Sequence, residues 1–178
     1  MKRLCLMAAF ALSAWVATAQ PRLFVKPNEP IGEAKGIHPG RVAWVHNPGV
    51  ATWDGETGLW VEGRWNDQQK ADAMVRQAVM TVAGAKSPKA AWKALFKNFN
   101  KTHGKGNKGY KKGETIAIKL NMNNAITHRD TIELNSSPYV TLALVRSLIN
   151  DGGVRQQDVI VCEPSRAITD SIYNKIHR

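Results

Sequence analysis

Cysteine is nearly missing from this chain: among 178 residues only Cys5 and Cys162 occur. Cys5 lies in an N-terminal segment read below as cleaved, which leaves Cys162 alone. A single thiol excludes an intramolecular disulfide and a multi-thiolate metal or iron–sulfur site. Cys162 closes the apolar run Val159-Ile-Val-Cys162 and reads as a small buried hydrophobe, with a nucleophile as the other reading. No histidine pair has metal-ligand spacing, so no metal is expected. Internal repeats are also missing. The longest apolar run, Leu4 to Val16, falls short of the roughly 20 residues that span a bilayer. Acidic side chains are few, 14 against 25 Lys and Arg, for a formal charge of +11. Such an excess favours anionic partners: nucleic acid, phosphorylated ligands, acidic glycans or a lipid surface. A basic surface with no dedicated partner is the alternative.

The N-terminus is built like a secretory signal. Lys2 and Arg3 give a positive start, Leu4 to Val16 an apolar centre, and Ala17-Thr-Ala19 a small-residue cleavage site. The expectation is a signal peptide over 1–19 and a mature chain from Gln20, exported by the general secretory route to the periplasm or beyond. No twin arginine points to folded export. After export nucleic acid is no longer an expected partner, and the mature chain has no transmembrane span. An uncleaved membrane anchor is the alternative.

The rest reads as one domain. Its 43% apolar and 22% charged residues fall in the globular range. Residues 20–40, rich in Pro and Gly, predict an extended lead-in. The α/β domain is expected over 41–178. Arg41 to His46 predicts the first strand, stopped by the turn residues Asn47-Pro48-Gly49. The loop from Val50 to Trp65 holds Trp53, Trp60 and Trp65, either a stacking platform or side chains that pack the loop down. A helix runs from a cap at Asn66 to Gly84, with Ala71, Met74, Val75, Ala78, Val79 and Val82 on one face. Ser87-Pro88 opens a second helix, with Trp92, Leu95, Phe96 and Phe99 sharing a face. Residues 101–113 carry five lysines and four glycines. Gly104, Gly106 and Gly109 match G-x-G-x-x-G, but they follow a helix and precede a strand, the reverse of a dinucleotide fingerprint. A mobile basic loop is predicted there. Thr115 to Ile118 predicts a buried strand, Asn124 to Ser136 a long loop, and Ser137-Pro138 a third helix ended by Gly152-Gly153. Asp158 to Glu163 predicts a second strand, apolar on both faces like a parallel strand. Together these make a βαβ unit.

The order strand, Ile-Lys-x-Asn, long loop, Ser-Pro helix, Gly-Gly, strand, Glu-Pro-Ser resembles the domain of unknown function 362 family. The matching stretches are Ile116-Ala-Ile-Lys-Leu-Asn121, Ser137 to Arg146 and Gly153 to Ser165. Trp53-Asp-Gly and Arg64-Trp-Asn-Asp67 resemble its secreted bacterial branch. The resemblance implies a parallel-sheet, three-layer, Rossmann-like α/β fold, of which this chain would be an N-terminal portion. It implies no established activity. Some members add iron–sulfur segments, and nothing in this chain supports one.

Side chains two apart on a strand share a face, so Lys119, Asn121 and Asn123 line up past the carboxyl end of the first βαβ strand. The next helix starts on the same edge, and its amides at Ser137 favour anions. Glu163, Ser165 and Arg166 leave the second strand there too, and His46 follows the first predicted strand. The expected ligand is a small phosphate- or carboxylate-bearing molecule. Lys119 would anchor its charge and Asn121 and Asn123 would orient it. Ser137, Ser165 and Arg166 would add contacts, with Glu163 as candidate acid or base. Two other outcomes stand beside this one. Lys119 pairs with Glu163 and the asparagines only bond loop backbone, or the chain is a non-catalytic module holding envelope polyanions or glycans through its Lys/Gly-rich and Trp-rich loops. No cofactor is indicated.

Overall fold

The computed structural model describes Glu29 and residues 31–177. The expected signal peptide, and the first part of the Pro/Gly-rich lead-in, lie outside the described residues. The chain divides into Met1–Glu33 and Ala34–Arg178, and the architecture below is that of the second unit. Four helices and two strands follow in the order α1 (Gln68–Ala83), α2 (Pro88–Thr102), β1 (Ile116–Lys119), α3 (Pro138–Asn150), β2 (Val159–Cys162) and α4 (Asp170–Ile176). None of the described helices is long and apolar enough to cross a membrane.

The helix starts follow local chemistry. Ser87 Oγ accepts from the Ala90 amide at 3.3 Å, and Pro88 fills the first turn, where no amide is needed. Ser137 and Pro138 do the same for α3. The cap of α1 is Asp67 and not Asn66: the Lys70 amide donates to Asp67 at 3.0 Å. A carboxylate suits the positive end of a helix better than an amide. Asn66 instead donates to the carbonyls of Trp60 and Glu62, at 2.7 and 3.0 Å, and folds the preceding loop. Gly84, at φ 65°, ends α1 in the left-handed conformation.

β1 and β2 pair in parallel, in register from Ile116 opposite Val159 to Lys119 opposite Cys162, with α3 between them in the chain. The fold is therefore mixed α/β around a two-stranded parallel sheet. Ile116, Ile118, Val159 and Val161 point into one core with Met122, Leu148 and Ile172. Met122 and Ile172 are 0% exposed. Helices α2, α3 and α4 all supply side chains to this core. On the other face Ala117 and Lys119 are exposed and Ile160 is half open. One face of the sheet is covered and one is bare.

Three expectations change. Arg41 to His46 is not a strand: it pairs with no other segment among the described residues, and Val42 and Trp44 are 87% and 80% exposed. Alternating apolarity selects a face, whereas a strand exists only through backbone pairing. This segment is tied by side chains to the end of α1 instead. Arg41 Nη1 donates to the Thr81 carbonyl at 3.2 Å, and the His38 ring lies 3.1 Å from that of Ala83. Second, α1 packs on α2 and α3, not on the sheet. Ala71, Ala83, Ala91 and Ala143 are all nearly or fully buried, and such small residues let the helices close on one another. Third, Cys162 is half-buried, because its register partner is Lys119 and it lies on the bare face of the sheet and not on the core face.

Residues 101–113 are anchored at both ends. Asn100 donates to the carbonyls of Lys108 and Gly109, at 2.9 and 3.2 Å. Asp158 accepts from the Tyr110 hydroxyl, from the Gly113 amide at 2.9 Å, and twice from Arg155 at 2.8 Å. Arg155, then Tyr110, then the Gly113 amide hold the Asp158 carboxyl well below the usual carboxylate range. The tryptophans of the Val50 to Trp65 loop are occupied separately and form no shared platform. Trp53 donates to the Thr57 carbonyl at 3.1 Å and Trp60 to that of Glu133 at 3.2 Å, while Arg64 lies 4.9 Å over the Trp65 ring.

Candidate functional site

Two loops leave the carboxyl ends of β1 and β2 and are stitched together. The Ala167 amide donates to the Ala125 carbonyl at 3.2 Å, and the Asp170 amide to that of His128 at 2.8 Å. Asp130 accepts from the Ser171 amide and hydroxyl, at 3.0 and 2.6 Å, at the start of α4. This stitching explains how the thirteen residues from Asn124 to Ser136 hold a shape without helix or strand.

Lys119 and Glu163 meet at the sheet edge, Nζ to Oε2 at 3.2 Å, with 64% of the lysine side chain exposed and 5% of the glutamate's. Lys119 also donates to its neighbour Leu120's carbonyl at 3.0 Å. The other Glu163 oxygen accepts from the Ser165 amide and hydroxyl, both at 3.1 Å. The Ser165 amide above all, and then Lys119, lower the Glu163 pKa. The group is an ionised acceptor near neutral pH, a chemistry that suits positioning a cation better than delivering a proton. Arg166 Nε donates to the Asn123 carbonyl at 3.3 Å and Nη1 to that of Ser165 at 3.4 Å. It has no acidic partner among the described residues.

Beside Asn123 lies a polar hollow of about 290 Å³ lined by Asn121, Asn123, Asn124, Leu134, Asn135 and Ser136. Its amides are partly spent on the loop itself. Asn121 Oδ1 accepts from the Asn123 amide at 3.3 Å, Asn135 Oδ1 from the Asn124 amide at 3.1 Å, and Asn124 Nδ2 donates to the Leu134 carbonyl at 2.8 Å. The side chain of Asn123 makes no hydrogen bond among the described residues. The sequence assigns Asn124, Asn135 and Ser136 no place in the ligand site, although Asn135-Ser-Ser137 matches the glycosylation pattern. They arrive from the far end of the loop, and the only sequence signal for them is its length and asparagine content.

The amino end of α3 is closed by its own cap. Ser137 Oγ accepts from the amides of Tyr139 and Val140 at 3.3 and 3.4 Å, and Pro138 and Tyr139 are buried. The amides of Tyr139 and Val140 are therefore spent on the cap and not turned to the hollow. His46 stacks on Trp44, with ring centres 5.5 Å apart, and makes no hydrogen bond to the edge. A larger cleft of about 560 Å³ runs elsewhere, between α3 and α4, where Lys175 Nζ sits 3.6 Å from the Tyr139 ring centre. Its walls are mainly helix side chains. Among the described residues no group of three or more His, Cys, Asp or Glu side chains is placed to hold a metal ion. No family model, curated protein or solved structure matches the chain.

Proposed function

We propose that this protein binds a small phosphate- or carboxylate-bearing ligand at the carboxyl edge of its parallel sheet. Arg166 carries the reading. Its guanidinium is positioned by the Asn123 carbonyl, lacks an acidic partner among the described residues, and stands beside a hollow rich in amides. Arginine is well suited to bidentate anion recognition. Lys119 supplies a second, mostly exposed cation, and Glu163 holds it in place. Asn121 and Asn123 would orient the ligand, and the Ser165 hydroxyl stands at the rim. The same reading takes the chain as an exported protein similar to the domain of unknown function 362 family. Its βαβ unit would then belong to a three-layer, Rossmann-like sandwich, with the second layer over Ala117 and Ile160.

Titration calorimetry with inorganic phosphate, glucose 6-phosphate and succinate tests the site. At least one should bind with a Kd below about 1 mM. Arg166→Gln should weaken that binding about tenfold. Lys119→Ala should weaken it too, while moving the thermal midpoint by no more than about 2 °C, since the lysine itself is mostly exposed and Glu163 keeps its two hydrogen bonds from Ser165. Absence of binding by all three, or binding untouched by both substitutions, rejects the site.

A further inference from the structure

The stretch from Ala73 to Gly113 contains nine lysines and no aspartate or glutamate. Four of them, Lys89, Lys93, Lys97 and Lys101, recur at every fourth residue along α2. In an α-helix that step advances about 6 Å and turns only about 40°, so the four form one ridge about 18 Å long. Lys89, Lys93 and Lys101 are exposed and Lys97 is half-buried. None of the nine lysines forms an ion pair among the described residues. Like charges four apart on a helix repel, and Lys89 lies in the first turn, where the helix dipole disfavours a cation. The fold thus keeps a row of mutually repelling charges with no acid of its own to relieve them.

From this ridge we infer a docking surface for a linear acidic polysaccharide, independent of the site at the sheet edge. Three observations choose that partner. The charge-bearing segment has no arginine after Arg76, so the fork that reads phosphates and guanine edges is missing. A duplex carries one charge per about 1.7 Å of its axis, far denser than a ridge with one per about 6 Å. The apolar side of α2 is largely committed, since Trp92 and Phe96 pack into the core and the half-exposed Phe99 is stacked on His103, so the helix keeps no continuous apolar face to lay into a lipid surface. A polyuronate carries one carboxylate on each sugar and presents its charges in single file, as the ridge does.

The test compares two quadruple variants that remove equal charge. In one, Lys89, Lys93, Lys97 and Lys101 become Gln, which is close to lysine in helix propensity. In the other, Lys105, Lys108, Lys111 and Lys112 become Gln. Binding to a polygalacturonate oligomer is read by fluorescence anisotropy over a salt series. The ridge variant should bind about tenfold or more weakly and show a shallower salt dependence, and the other variant should lose no more than about threefold. Equal losses would show a response to bulk charge and overturn the ridge. No binding to the oligomer, or tighter binding to a 20-base-pair duplex or to phosphatidylglycerol vesicles at the same salt, would overturn the partner. If the ridge variant does not fold, lysine acylation of the unaltered protein decides instead: the oligomer should protect the four ridge lysines, and unchanged labelling there rejects the surface.

Discussion

At the scale of single residues, space and charge decide in different places. Gly152 follows α3 where the chain turns against α2. A Cβ there would lie 2.6 Å from the Leu148 carbonyl oxygen and 3.3 Å from Trp92 Cγ. Neither neighbour moves easily, so Gly152→Ala should cost about 1–3 kcal/mol, read by urea denaturation. Gly109 has nothing within 4 Å of such a Cβ, and Gly109→Ala should stay within about 0.5 kcal/mol. Asp158 is the charge counterpart. Its pKa is depressed on folding, first by Arg155, so its contribution is complete above its unfolded pKa of about 4 and fades as pH falls below that. The thermal midpoint should therefore decline on acidification below about pH 4. Asp158→Asn should lower the midpoint by several degrees at neutral pH and make the acid decline shallower. An unchanged acid profile in that variant would assign the decline to other carboxylates.

At the scale of elements, pairing separates real strands from strand-like sequence. The amides of Val42 to His46 have no backbone acceptor among the described residues, whereas Ile118 is in the paired sheet and the Leu120 amide donates to the Cys162 carbonyl at 2.9 Å. Hydrogen exchange should find 42–46 nearly unprotected and Leu120 strongly protected. Slow exchange across 42–46 would restore the strand. Helix starts were legible because Ser87-Pro88 and Ser137-Pro138 settle caps with local atoms alone. β1 and β2 were legible because short apolar runs around a helix fit parallel pairing. Arg41 to His46 shows the same alternation without the partner. Phe99 lies on the expected helix face yet is 52% exposed, stacked on His103 at 4.0 Å. Periodicity reports a direction around a helix but not how far the core extends along it. For the same reason the apolar face of α1 could not reveal that it meets helices and not the sheet.

At the scale of the whole molecule, what was legible in the candidate site is its address. The carboxyl ends of β1 and β2 bring Lys119 to Glu163 and Arg166 to Asn123, contacts that follow from parallel strand order. The hollow itself depends on Asn124, Asn135 and Ser136 folding back across the loop, which no local rule specifies. The sheet that carries this edge has a further property. Among the described residues it has two strands, so each is an outer strand there and has one side without a strand partner. Such a side is a template on which a strand from another copy can grow. Here each strand has four residues, and β1 ends in a largely exposed lysine. Shortness and a charge at the strand end are both features that oppose that growth.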